Sequence, residues 1–501
     1  TALAIDASYI AGFDALVGGS GAGDTFTGAD IVNTWALTGA GSGTLNGGLA
    51  FSGFENLAGG AAADGFQLAG GSIAGTIAGG AGNDTILGPN TNTAWSITAT
   101  NAGTVGGIGG GFSSIENLTG GTADDTFTLA SNVTVTGTLT GGAGNDTADY
   151  TAWTDQVVAN LATGLNGFEV LIAGSNAADT VIGANAVNAW SITGAGTGTI
   201  GPLSFQNFEN LTGGNAADTF TFAAGGSISG LIDGGAGNDR IVGSDTGWTW
   251  GITGANSGTV DGTPFSAIEN LTGGAGDDSF VLSTGGSLTG AIVAGGGSDT
   301  LDYASFGAPV AVDLQTNAAT SLGSAIQWET LVGSTGTDTL RGRNAGNLWS
   351  MSGASAGTVD GRSFSSVENL EGGTAGDTFA FADGVLPAGT IDGRGGTDAI
   401  DFSAWTAPLL FVFGGDFSNI ESLTGGSASS TLTGPGTTNT WTVTGVNAGS
   451  LNGIAFNGFG SLTGGGGDDA FTLDPAGSLS GTITGGAGQN TLTGPDTATA
   501  W

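Results

Sequence analysis

Apolar side chains recur along the chain about every ten residues, in short runs walled by Gly, Asn, Asp or Thr; from position 57 the series is Leu57, Phe66, Ile77, Ile86, Ile97, Val105, Ile115. The runs are rich in β-branched and aromatic residues and too short for an amphipathic helix, which predicts strand, turn, strand. Thr126-Phe127-Thr128-Leu129 and Val133-Thr134-Val135-Thr136 alternate with period two, so each strand is predicted to turn one face inward and the other to water.

The runs belong to repeated phrases. Trp-Ser-Ile-Thr-Gly, with variants, starts at Trp35, Trp95, Trp190, Trp250, Trp349 and Trp441, and begins again at Trp501. The interval is 60 residues in three cases and 92 to 99 in the others. A second phrase, Glu-Asn-Leu-Thr-Gly-Gly, has variants around Leu57, Leu118, Leu211, Leu271, Leu370 and Leu423. A third, Gly-Gly-Ala-Gly-Asn-Asp, ends at Asp84, Asp146 and Asp239, and its first glycine lies 20 or 21 residues after that of the second phrase. The natural unit is a coil of about 20 residues, three to a 60-residue period. The longer intervals hold inserted coils near 149–172, 302–332 and 401–422, which open alike at Asp149-Tyr150, Asp302-Tyr303 and Asp401-Phe402.

The expected fold is all-β: a parallel β-solenoid, of the β-helix or β-roll kind, wound right-handed. Each coil buries its inner face on the next and pairs its strands with those of its neighbours. No shift of composition marks a linker, so residues 1–501 are expected to form one continuous array. Both ends of the sequence fall inside the repeat. Free solenoid ends expose strand edges, so the expectation is self-association by head-to-tail stacking, or a longer parent chain.

Composition sharpens this picture. Glycine fills 103 of 501 positions, as coils that turn every few residues require. With 39% hydrophobic residues, 25 Phe and 11 Trp, the chain has the apolar surface to order itself. The 43 acidic residues face five Arg, no Lys and no His, a formal charge of −38 that repels nucleic acid and anionic lipid and favours cations. The absence of Cys and His excludes disulfides, thiolate chemistry and the usual zinc sites. No apolar run is long enough to span a membrane, and the opening residues lack a basic signal-peptide start.

The pattern Gly-Gly-x-Gly-x-Asp-x-apolar ends in Ile86, Ala148, Ile241, Phe280 and Phe471, and looser copies surround Asp24, Asp64, Asp125, Asp179, Asp218, Asp299, Asp338, Asp377 and Asp398. These turns resemble the calcium-binding nonapeptides of RTX proteins, secreted bacterial proteins whose glycine-rich turns enclose Ca²⁺ with aspartate and backbone oxygens. More broadly the chain is similar to glycine-rich β-strand-repeat surface proteins of bacteria. The resemblance implies calcium as a cofactor, with Asp84, Asp125, Asp146, Asp218, Asp239, Asp278, Asp398 and Asp469 as its ligands. It also implies an extracellular or cell-surface location. Here the copies come about 20 residues apart instead of in tandem, and Asn490 replaces the last aspartate. The competing reading is that Gly-Asn-Asp simply makes a good turn. Both stay open at this stage.

Neighbouring carboxylates such as Asp124 and Asp125 point to opposite faces of a strand and make no catalytic pair, so no enzyme is expected. The repeated Trp fits a buried ladder better than a sugar platform. Glu55, Glu116, Glu209, Glu269, Glu368 and Glu421 read as solvated or turn-bonding residues. The function expected is a non-enzymatic extracellular rod, contributing to a filament, a sheath or an adhesin stalk. The alternative is a module that binds a glycan or a cell surface through its inserts.

Overall fold

The computed structural model describes residues 4–163, 165–426 and 429–495. Their regular structure is all strand apart from one 3₁₀ turn, Ala7–Tyr9, and no helix among them is long and apolar enough to cross a membrane. Contacts group the chain into two compact units, Thr1–Ser244 with Thr263–Ile268, and Asp245–Gly262 with Glu269–Trp501.

Within each unit the strands stack mainly in parallel. In the first, Leu57 pairs with Ile77, Phe66 with Ile86, Leu118 with Leu139, and Leu211 with Ile232; in the second, Phe280 pairs with Leu301, Leu370 with Ile391, and Phe379 with Ile400. The partners are 20 or 21 residues apart, as the spacing of the glycine phrases predicts. The inward residue of a three-residue strand is buried between two partly exposed ones, as in Thr85–Leu87, Thr300–Asp302 and Ala399–Asp401.

One feature departs from a plain run of parallel coils. Each Trp phrase is the first strand of an antiparallel switchback. Thr34–Gly39 pairs with Ser42–Leu45, which pairs with Leu49–Ser52, before the chain resumes parallel stacking on both sides. The same three-stranded pattern follows Trp190, Trp349 and Trp441. Where a switchback intervenes, parallel partners lie farther apart in sequence, as for Trp35 with Phe66 and Phe112 with Ile77. The insert at 302–332 is a switchback without the Trp phrase: Val312 pairs antiparallel with Ala319, Ala319 with Leu322, and Val312 runs parallel to Leu340. The strands of the other two inserts, Val158–Asn160 with Leu165–Asn166 and Leu410–Val412 with Phe417–Ser418, pair in parallel with neighbouring coils.

The tryptophans are core. Trp35, Trp95, Trp190, Trp250, Trp349 and Trp441 are at most 1% exposed. Each stacks face to face on the phenylalanine of its parallel neighbour, Phe66, Phe127, Phe220, Phe280, Phe379 and Phe471 in turn, with centroids 5.0–5.7 Å apart and planes within 19°. The third strand of the switchback adds an edge contact, from Phe51, Phe112, Phe205, Phe364 and Phe456 to Trp35, Trp95, Trp190, Trp349 and Trp441. Such pairs add directional packing to a large burial of apolar area.

Candidate functional site

At one corner of the coils the residue two places before the inward core residue is in most cases polar, and the structure aligns these residues into columns. Asn33, Asp64, Asp84 and Glu116 precede Trp35, Phe66, Ile86 and Leu118, which are register partners in that order. Along this column every backbone N–H donates to the next side chain: Asn33 to Asp64 Oδ1 (2.7 Å), Asp64 to Asp84 Oδ1 (2.7 Å), Asp84 to Glu116 Oε2 (2.8 Å).

The order recurs. Thr93, Asp125, Asp146 and Glu169 form a second column, and Asn188, Asp218 and Asp239 a third. In the second unit Trp248, Asp278, Asp299 and Glu329 form one, Asn347, Asp377, Asp398 and Glu421 another, and Asn439, Asp469 and Asn490 a shorter one. Val157 leads to Asp179 and Glu209, and Val310 to Asp338 and Glu368. The corner of a coil leaves backbone donors that strand pairing does not use. With water excluded, each needs an acceptor, and the column supplies it.

All eight aspartates expected to bind calcium stand in these columns, at most 2% exposed. Asp84, Asp125, Asp146, Asp218, Asp239, Asp278, Asp398 and Asp469 each give Oδ1 to the N–H of the preceding coil. Oδ2 of Asp125 and Asp278 accepts a second N–H, from Gly121 and Gly274. Oδ2 of Asp64, Asp84, Asp146, Asp218, Asp299, Asp398 and Asp469 is buried without a hydrogen-bond partner. At Asp64, Asp84, Asp218, Asp398 and Asp469 it lies against the glycine five residues earlier, where a Cβ would strike both that oxygen and a carbonyl of another coil, as at Gly59 with Asp64 Oδ2 and Gly79 O; before Asp299 the same place is held by Ala294.

Calcium takes six to eight oxygens around an open centre. Among the described residues no three Asp or Glu side chains converge in that way. The aspartates do not fit a calcium ion as they stand: one oxygen is committed to the backbone, and the other is packed on a glycine α-carbon.

Burial is the first influence on these acids. It pushes Asp84 and Asp398 up to about 6, partly offset by the N–H of Asp64 or Asp377. Charges of Asp64 and Glu116 add to the rise at Asp84, and those of Asp377, Glu421 and Asp392 at Asp398. Asp64, Asp125, Asp146, Asp179, Asp218 and Asp299 are raised for the same leading reason.

Sequence reasoning missed two members of the column. Asn33, Asn188, Asn347 and Asn439 also donate Nδ2 to Oδ1 of Asp64, Asp218, Asp377 and Asp469. Where Trp248 takes the asparagine's place, Trp250 Nε1 reaches Asp278 Oδ1 at 3.3 Å. The glutamates of the Glu-Asn-Leu phrase, read as solvated or turn-bonding, are turn-bonding: Glu55 accepts the N–H of Asp24 and Glu116 that of Asp84, as members of the columns. The signal was present: Asn-x-Trp, Asp-x-Phe and Glu-x-Leu share one polar-x-apolar spacing. The asparagines beside those glutamates do not stack on one another; Asn56, Asn117, Asn210 and Asn369 each accept the N–H of the coil that follows.

Asp124, Asp277 and Asp468 point outward and accept N–H groups of Asn145, Ser298 and Gln489. They and the aspartate that follows each thus serve two sides of one turn. In the inserts, Tyr303, Phe402, Phe306 and Trp405 are buried, while Trp153 is half-buried.

No known family model matches the chain, and no curated protein matches its sequence.

Proposed function

We propose that the protein is a structural β-solenoid, a right-handed, non-enzymatic, rod-like element of an extracellular or bacterial surface assembly. The observation that carries this reading is how its conspicuous side chains are used. The tryptophans fill the core, and the aspartates and glutamates of the repeated phrases bond the backbone of adjacent coils. Side chains spent on coil-to-coil cohesion suit a load-bearing element. Burial of Tyr303, Phe402 and Trp405 favours the rod over a glycan-binding module, which needs exposed rings. Partners in this reading are other copies or a longer parent chain, joined through strand edges. Electron microscopy of the purified chain tests it. Thin particles of uniform width, joining end to end as concentration rises, support the rod. Isolated globular particles that bind a panel of glycans refute it.

A further inference from the structure

We propose that the aspartate turn in which Oδ2 meets no donor, as at Asp84 and Asp398, is an amide-equivalent backbone clamp: it contributes an acceptor to the preceding coil and a close fit to a glycine, and its negative charge has no part in the work.

The chain itself makes the comparison. Asn490 occupies an aspartate place, and its Oδ1 accepts the Asp469 N–H at 2.8 Å just as Asp84 Oδ1 accepts that of Asp64 at 2.7 Å. Asn33, Asn188 and Asn439 sit at the same register in neighbouring coils. A Cβ placed on Gly28, Gly183 or Gly434 would meet the asparagine Nδ2 and the carbonyl of Gly59, Gly213 or Gly464. One coil on, a Cβ on Gly59, Gly213 or Gly464 would meet Oδ2 of Asp64, Asp218 or Asp469 and the carbonyl of Gly79, Gly234 or Gly485. The niche is the same, and only the terminal atom differs.

In the asparagine copies that atom is a donor. Nδ2 reaches the carbonyl of Gly59 at 3.3 Å, of Gly213 at 3.4 Å and of Gly464 at 3.0 Å. In the aspartate copies two acceptors share the niche, and Oδ2 of Asp64, Asp218 and Asp469 goes without a partner. At Oδ2 an anion loses its hydration and meets no donor, and the bonds to Oδ1 offset that loss only in part. A metal ion cannot bridge the two oxygens, because the space between them lies a single bond length from the glycine α-carbon. At Asp84 the facing carbonyl belongs to Ser114, and at Asp398 to Asn419. The upward shift of both acids agrees with a site that disfavours the charge.

The clamp does not depend on the proposed rod role, and its test reads stability alone. The full chain would carry Asp84→Asn with Asp398→Asn, and in parallel Asp84→Leu with Asp398→Leu. Each protein is melted at neutral pH in EDTA, then in Ca²⁺ and in Mg²⁺. The asparagine pair should melt at or above the parent, the leucine pair below it, and Ca²⁺ should act no differently from Mg²⁺. If the leucine pair does not fold, amide exchange at Asp64 and Asp377 in the asparagine pair gives the second reading, with protection retained. A melting temperature of the asparagine pair below the parent, loss of that protection, or a calcium-specific rise in the parent overturns the clamp.

Discussion

Asp64 and Asp84 are joined by a hydrogen bond from the backbone N–H of the first to Oδ1 of the second, 2.7 Å long, with both side chains out of reach of water. Twenty residues separate them in sequence, one coil in space. A buried carboxylate normally calls for a cation. Here its partner is a peptide group, and the same bond recurs wherever two coils with aspartate turns adjoin, as between Asp125 and Asp146 or Asp377 and Asp398.

Acidification should strengthen the fold. Asp84 and Asp398 hold their protons up to about 6, against an ordinary value of 3.8. The folded state therefore binds protons more tightly than the unfolded one. The stability this contributes is complete below 3.8 and is lost as pH rises through about 6. Melting temperature at fixed ionic strength should climb from about pH 7.5 to about pH 5, and the Asp84→Asn, Asp398→Asn pair should show a shallower climb. A parent melting temperature that falls over this interval contradicts the expectation.

Gly120→Ala should destabilise by about 2 kcal/mol or more, the scale of overpacking in a close-packed interior. Its new methyl would strike Asp125 Oδ2 and the backbone of Gly141. Gly436→Ala, with open space around it, should leave chemical unfolding almost unchanged. Equal shifts for the two would separate the glycine from the column.

Trp190→Ala removes a ring stacked on Phe220 at 5.3 Å and edge-on to Phe205 at 5.9 Å. A loss of about 4 kcal/mol is expected for so large a buried side chain. Because coils depend chiefly on their neighbours, the loss should be local. Hydrogen exchange should speed up in Ala189–Gly194, Leu203–Gln206 and Thr219–Phe222 well before it does in Ala4–Asp6. Uniform acceleration along the chain would argue for a single cooperative unit.

The tip of the first switchback should accept extra residues. Asn46 and Gly47 both have positive φ, 52° and 68°, and Gly47 has open space around it. A short Gly-Ser insertion between Gly47 and Gly48 should leave the melting temperature within a degree or two, as loop tips allow. The same insertion after Gly82, in an aspartate turn held at φ 125°, should lower it markedly.

Strand positions, coil length and the burial of the tryptophans were legible because they follow from local alternation and spacing. The switchbacks were not, since both arms of the hairpin and the parallel coils draw on the same β-branched and glycine-rich vocabulary. Asn46-Gly47 and Asn452-Gly453 were the available hint, being a dipeptide that favours tight hairpins. The columns were hidden for another reason. Asn33, Asp64, Asp84 and Glu116 belong to three different phrases, and only stacking brings them to one register. The usual exposure of acidic residues also argued against looking for them inside.

A chain of near-identical coils faces a particular hazard while folding, because any coil could pair one level too high or too low. The columns limit that freedom. Asn33 opens its column with Nδ2 tied to the carbonyls of Ala29 and Ile31 in its own turn, Asp64 and Asp84 fit closely against Gly59 and Gly79, and Glu116 closes it by accepting the Asp84 N–H. A slipped coil would press the longer glutamate into a niche shaped for aspartate, or leave a peptide donor unanswered. The order of side chains thus serves as an address for each level, and fidelity of assembly is written into residues whose motif suggested metal chemistry.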